Sequence, residues 1–311
     1  MIVRPIVTYE AVAWASKATQ TSIGLQLSKL QRLACVCVTG AMRTCPTVAL
    51  EVMLELPPLH LVINQTAKHT MLLMTAEGYG KGKLISSQQM RALEYNTPLA
   101  LLPRDGVTKR VNFTKKFKVT LGSKADWSDS TLDQLLRGST IQWYTDGSKT
   151  PEGIGAGIAG PHTKLSIHMG CFPSIFQAEV LAISQCAVIN LQRNYHNKSI
   201  AILSDSQAAL KAISAYETRS LLVEECIGRL NRLSACNRVH LIWVPGHKGV
   251  AGNELADELA RSAAATRMMG PEPCIAVGPH TIKELLRTEE RANRDSLQGC
   301  AMPNCYWEGS T

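Results

Sequence analysis

The sequence predicts an α/β fold: a mixed five-stranded sheet with flanking helices, preceded by a mainly helical segment. Three observations carry this prediction. The runs IQWYTDGS, EGIGAGIAGP and KLSIHMGCF follow one another across short turns and read as an antiparallel meander. SIAILSDS and RVHLIWVPG also read as strands, but each is reached through helical stretches, which implies parallel pairing in part of the sheet. Before residue 78 the apolar residues recur at helical spacing instead.

Taken in order, MIVRPIVTYEAVAWAS has one Arg and a short apolar stretch like a signal peptide, but Glu10 interrupts it and nothing downstream supports secretion. GLQLSKLQRLACVCVTGA reads as a helix. GAMRTCPTVALEVMLELPPL then supplies a break, a Thr44 or Thr47 cap with Pro46 in the first turn, and a stop at Pro57 and Pro58. LHLVINQTAKHTMLLMTA is a third helix. The expected divisions are a helical segment over 1–77, a basic connector with some strand content over 78–138, the α/β domain over 139–268 and a charged tail over 269–311. Within the α/β domain, IFQAEVLAISQCAVINLQRN, DSQAALKAISAY and ETRSLLVEECIGRLNRLSA are helices, and Asn253 caps a last one, ELADELARSAAA.

Composition narrows the function. The 311 residues are 45% hydrophobic, enough for one sizeable core or two modest ones. The ten cysteines are irregularly spaced in a chain too long to need stapling, so they read as reduced, intracellular thiols, and the segregation of the chain between nucleus and cytoplasm stays open. No uninterrupted apolar run approaches the ~18 residues of a membrane-spanning helix. Net charge is +8, and the excess lies in the first part: 17 Lys and Arg against nine Asp and Glu over 1–138, but 16 against 16 over 139–311. Its densest run holds Lys109, Arg110, Lys115, Lys116, Lys118 and Lys124 with Phe113 and Phe117 interleaved, a pattern that suits a phosphate backbone. A solvated basic loop is the plainer alternative. GIGAGIAG is a glycine run on a hairpin strand, not on the strand-to-helix turn that dinucleotide binding needs. Cys35 with Cys37, and Cys300 with Cys305, lack the four-ligand complement of a zinc site.

Four acidic residues stand out by position. Asp146 ends the first strand of the domain, Asp205 ends the fourth, Glu179 lies in the opening turns of a helix, and Asp257 lies in the first turn of another. Singly, each is a turn or cap residue. If the first and fourth strands are neighbours, all four converge, and a cleft of like charges needs protons or cations. Hard oxygen donors select Mg²⁺ or Mn²⁺, and two such ions suit in-line phosphoryl displacement. His247 stands on the glycine-flanked loop PGHKGVAG, ten residues before Asp257, where it could shuttle a proton.

YTDGS, QAEVLAI, SDSQAAL and WVPGHKGVAGNELADELA, in this order, resemble the type 1 ribonuclease H domain. The resemblance covers about 141–266. It implies cleavage of the RNA strand of an RNA·DNA hybrid with two Mg²⁺ ions, for which Mn²⁺ can substitute. Asp146, Glu179, Asp205 and Asp257 would be the metal-binding carboxylates and His247 the loop histidine, and Ser148 and Gln207 would contact substrate; the charge pattern, not the resemblance, adds Lys109, Arg110, Lys115, Lys116 and Lys118 of the basic run as substrate contacts. SKTPEG lacks the Asn often found after the first carboxylate, and the basic helix and loop inserted in many cellular members is missing. Hybrid binding is therefore expected to depend on the basic run.

The stretch from YEAVAW through GAMRT to LPPLHL is similar to the region after the polymerase palm in insect Jockey-like non-LTR retrotransposon polyproteins. No Asp-Asp pair occurs in the chain, so it is expected not to copy RNA by itself and to represent the C-terminal portion of such a polyprotein, with the missing polymerase part as a partner. Three alternatives stand beside hybrid cleavage: a catalytically silent nucleic-acid-binding remnant, an orphaned structural remnant with an exposed apolar face, and a recombinase or integrase on the same fold.

Overall fold

The computed structural model describes residues 3–18, 20–76, 103–106, 110–111, 114–123, 127, 132, 134–136, 140–246, 248–266 and 275–301. They fall into two units, Met1–Leu102 with Ile282–Thr311, and Pro103–Thr281.

In the first unit, apolar residues at helical spacing give α1 (Val3–Thr8), α2 (Ala11–Ala18), α3 (Thr21–Thr39), α4 (Thr47–Met53) and α5 (Leu59–Ala76). The signal-like start is therefore two helices, and Ala11, Val12, Ala15 and Ala18 bury against Leu27, Leu59, Ile63 and Ala67. Gly40, at φ 66°, ends α3 in the left-handed conformation that glycine adopts most easily. Neither threonine caps α4: its N-cap is Pro46. The Thr47 hydroxyl accepts instead from Arg32, whose guanidinium also reaches the Cys45 carbonyl at 2.6 Å. Buried Gln31 secures the start of α5 by donating to the Pro57 carbonyl at 2.9 Å and accepting from the Leu59 amide at 2.7 Å. A last helix, α10 (Pro279–Ala301), realises the charged helix expected in the tail. Lys68 on α5 pairs with its Glu289 at 2.6 Å.

The second unit holds β1 (Arg110–Val111), β2 (Lys118–Thr120), β3 (Thr140–Lys149), β4 (Ile154–Gly160), β5 (Thr163–His168), β6 (Ser199–Ser204), β7 (Glu217–Thr218) and β8 (Arg238–Trp243). Its helices are α6 (Ile175–Gln192), α7 (Gln207–Ser214), α8 (Leu221–Leu233) and α9 (Ala251–Ala265). The sheet order is β2-β8-β6-β3-β4-β5. The meander β3-β4-β5 is antiparallel, and β3, β6, β8 and β2 run parallel.

The sheet thus has six strands, one more than expected. The extra strand is β2, from the middle of the basic run, and Phe117 just before it is buried in the main core. Alternation puts Phe117 inside, so it serves packing and not base stacking. Farther along the same segment, Trp127, Leu132, Leu135 and Leu136 pack on Ala201, Leu203, Ile242 and Val244, covering a face of β6 and β8. The N-terminal end of the third domain helix also differs: Glu217 and Thr218 form β7, paired with β1, and Ser220 caps α8 through the Val223 amide.

Opposite faces of the central strands receive different helices. Trp143, Ala156, Ile158, Ile200 and Ile202 bury against α6 and α8. Helix α6 is long and apolar enough to cross a membrane, but it is mostly buried in this core. On the other face α9 lies directly on β4, because Gly155 and Gly157 have no side chains. A Cβ at Gly157 would fall 2.0 Å from the Ala256 carbonyl oxygen.

A buried carboxylate ties in the start of the unit. Asp105 accepts from the Ser220 hydroxyl at 2.7 Å, the Leu222 amide at 3.0 Å and the Gln177 side-chain amide at 3.3 Å. Arg104 bridges Val277, and Gln177 also donates to the Ala276 carbonyl, so the segments on both sides of the sheet domain meet at the starts of α6 and α8. Removing a buried charged acceptor strands its donors. Asp105→Ala is expected to cost about 2–3 kcal/mol in urea unfolding. A variant as stable as the parent would show that Asp105 is incidental to this unit.

Candidate active site

Register brings the carboxylates together. Parallel pairing of β3 with β6 ends at Thr145 and Ser204, so the next residues, Asp146 and Asp205, lie side by side at the same sheet edge. Asp146 does not end its strand, as the sequence suggested. β3 continues to Lys149 on its antiparallel partner, with Asp146 opposite Gly157. Strand alternation turns Asp146 toward the face that carries α9. Glu179 arrives from α6 on the other face and reaches past Gly147, where a Cβ would stand 3.1 Å from both Ala178 and Glu179. Side-chain oxygens of Asp146, Glu179 and Asp205 all lie within 4.8 Å of one another.

Such crowding sets the protonation. Burial, then the Asp205 charge, raise the Asp146 carboxyl to about 7; the Gly147 amide, donating at 2.9 Å, opposes this, and the Asp257 charge reinforces it. Glu179 is raised well above the usual carboxylate range by burial first and by Asp146 and Asp205 next. Its Oε2 is buried with no hydrogen-bond partner. A buried carboxylate oxygen of this kind is accommodated by a proton or by a cation. The three residues therefore fit a hard divalent ion, and all three could supply oxygen ligands.

Asp257 lies outside this trio but beside it, within side-chain hydrogen-bonding reach of Asp146. Helix α9 begins at Ala251 after Val250, so Asn253 is a buried helical residue and not the cap, and Asp257 falls in the second turn. Its carboxylate is held by Arg261 through two bonds, of 3.0 and 2.6 Å. His247 lies outside the described residues, as do Lys109, Phe113 and Lys124.

The expected substrate contacts are dispersed. Ser148 follows Asp146 on the same strand face. Gln207 donates to the Gly122 carbonyl at 2.8 Å and accepts from Lys211 at 3.3 Å, so its amide is engaged within the protein. Lys115 is tied to the Ala215 carbonyl at 2.7 Å, and desolvation lowers its pKa. Arg110 lies in β1, paired with β7. Lys116 and Lys118 are exposed. Lys118 is level with His240 and Ala201, four residues before Asp205, which places it about 13 Å along the sheet from the acidic edge.

Trp243 is the site residue that sequence reasoning missed. Its indole N–H donates to the Asp205 backbone carbonyl at 3.0 Å. LIWVPG reads as an apolar strand end, and nothing in that pattern distinguishes a tryptophan that packs from one that also donates.

The shift at Asp146 sets a pH dependence. An unfolded aspartate releases its proton near 4, whereas Asp146 keeps it to about 7, so between these values the folded state binds more protons and loses stability as pH rises. Glu179 acts in the same direction. Urea unfolding in EDTA should therefore show stability falling from pH 5 to pH 7, with a shallower fall for Asp146→Asn. A parent profile that rises across this interval would contradict the assigned protonation.

Residues 138–265 match the RNase H family model. Over 142 residues the chain is 32% identical to the Pol polyproteins of equine infectious anemia virus isolates 1369 and CL22 and of the Wyoming strain. Each match takes in 44% of this chain and 11% of the viral polyprotein. Over residues 138–265 the chain thus carries the RNase H fold, a mixed sheet with flanking helices, and the acidic cluster lies at the ends of β3 and β6 within it.

Proposed function

We propose that this chain is a ribonuclease H that hydrolyses the RNA strand of RNA·DNA hybrids at the edge formed by Asp146, Glu179 and Asp205. The observation that carries this reading is the trio itself, with oxygens within 4.8 Å of one another and Glu179 Oε2 buried without a hydrogen-bond partner. Structural acidic residues are normally spread apart or paired with basic groups, as Asp257 is with Arg261.

Asp146, Glu179 and Asp205 would hold Mg²⁺, or Mn²⁺ in its place, with Asp257 adding charge beside Asp146. When bound, a pair of such ions supplies an activated water and stabilises the leaving oxygen of an in-line displacement. The chain's own contribution is position: β3 and β6 fix two carboxylates by register, and α6 presents the third. His247, ten residues before Asp257, would move a proton, and Ser148 would meet the ribose side of the substrate. Among the described residues of the basic run Lys116 and Lys118 are exposed, and they would steer the hybrid backbone toward the site.

The Pol polyproteins that share this domain support descent from a retroelement polyprotein, with a polymerase part as the natural partner. Kinship with insect Jockey-like elements is our finer reading of the N-terminal helices. A silent nucleic-acid-binding remnant is the second reading. The exposed apolar residues Leu33, Met42 and Met53 on and after α3 and on α4 favour instead the orphaned structural remnant, as a surface that once had a cover.

The deciding experiment incubates the whole chain with labelled RNA·DNA hybrid, duplex RNA and duplex DNA, in Mg²⁺ or EDTA. Cutting confined to the RNA of the hybrid, abolished by EDTA and reduced at least ~10³-fold by Asp146→Asn or Glu179→Gln, is expected. Hybrid binding without cutting would instead support the silent remnant. Lys116→Ala with Lys118→Ala should raise the Michaelis constant for hybrid and lessen its salt dependence while kcat holds. An unchanged salt dependence would remove these two lysines from the substrate path.

A further inference from the structure

We propose that Trp243 is a positioning residue for Asp205, and that β2 with the two residues after it, Leu121 and Gly122, which lie outside the family match, lock it in place. The inference rests on reading Asp205 as a cation ligand. Of the three crowded carboxylates, Asp146 is embedded in a strand with a partner beside it and Glu179 in a helix of 18 residues. Asp205 alone sits between elements, after β6 and before α7, where neither ladder nor helix dictates its peptide orientation. Two donors meet its carbonyl: the Gln207 amide at 3.1 Å, which is local, and the Trp243 indole at 3.0 Å, which comes from the neighbouring strand.

The indole is itself held from two sides. Gly122 lies against one, so close that a Cβ there would fall 2.7 Å from Cε3 of the ring. Trp127 meets the ring edge-on, with centroids 6.2 Å apart and planes at 89°. The Gly122 carbonyl then accepts from the Gln207 side chain at 2.8 Å. A closed circuit results, running from Gly122 through the Trp243 ring to the Asp205 carbonyl, along the chain to Gln207 and back to Gly122. A concerted change of the Asp205 backbone dihedrals that swings its carboxylate out of the trio also turns its carbonyl, which breaks the indole bond and strains this circuit. The sixth strand is therefore more than an added edge: through one glycine it orients the carboxylate with the least backbone support. Groups that orient ligands in this way typically govern cation affinity by 10- to 100-fold, or roughly that range.

Trp243→Phe keeps a packed ring and removes the donor; Gly122→Ala keeps the donor and displaces the ring. In the full-length chain, both are compared with the parent by calorimetric titration with Mn²⁺ alone, by the Mg²⁺ dependence of hybrid cleavage, and by melting in EDTA. The expected result is cation affinity about tenfold weaker in both variants, with cleavage restored by excess Mg²⁺ and the Michaelis constant for hybrid unchanged. Mn²⁺ affinity equal to the parent's, read at a temperature where each variant is folded, overturns the proposal even if the melting point falls, because that pattern is packing alone. If Trp243→Phe does not fold, Gly122→Ala decides by the same titration. A parent chain that binds Mn²⁺ but cuts no hybrid refutes the hydrolytic reading while leaving the comparison of affinities intact; a parent that binds no Mn²⁺ overturns the positioning role as well.

Discussion

Repulsion among three crowded carboxylates, two of them buried, is the constraint around which the second unit is organised. At 4 Å and an effective dielectric near 20, each like-charged pair costs about 4 kcal/mol. The fold therefore has to hold Asp146, Glu179 and Asp205 together against a force that would part them. It does so with the central strand pair β3 and β6 and the mostly buried helix α6. Burial first, and the neighbouring carboxylates second, shift Asp146 and Glu179 upward, so protons on these groups relieve the repulsion. A site built this way is poised for divalent ions because the cost of assembling it has already been met by packing elsewhere.

Approach distance is the second theme. Carboxylates from opposite faces of a sheet can meet only at its edge, and only where the intervening residue has no side chain. Gly147 meets that condition between Asp146 and Glu179. Under α9, Gly155 and Gly157 bring the helix down onto β4, and Asp257 with it, near enough for its charge to reach Asp146. The glycine run that superficially resembled a nucleotide-binding loop has a packing purpose. Arg261 then neutralises Asp257, so the fourth acidic residue is adjacent to the trio without sharing its full repulsion.

The segment before the family match changes how the domain is bounded. Asp105, Phe117, β2, Gly122 and Trp127 all belong physically to the unit that carries the acidic edge. Its lysines serve more than one purpose: Lys115 anchors to Ala215, whereas Lys116 and Lys118 face solvent. Among its described residues, what composition presents as a basic linker is a structural extension of the sheet unit. Charge patterning reveals which residues are soluble, but says little about which of their neighbours are buried.

Much of the domain was legible in the sequence because its determinants are local. Period-two alternation placed β3, β4, β5, β6 and β8, helical spacing placed α6, α7, α8 and α9, and the strand-to-helix order fixed which strands could run parallel. Once β3 and β6 are taken as neighbours, the meeting of Asp146, Glu179 and Asp205 follows from chain order. Tertiary structure decided the rest. Whether Lys118–Thr120 is loop or strand depends on an open edge at β8, and whether Phe117 stacks on a base or fills a core depends on the same edge. The Asp105 clasp joins residues more than 100 positions apart, and the Trp243 bond reaches a backbone carbonyl 38 positions away. Pairings of that separation leave no periodic trace in the chain, because they are selected by which surfaces remain uncovered after the local elements have formed.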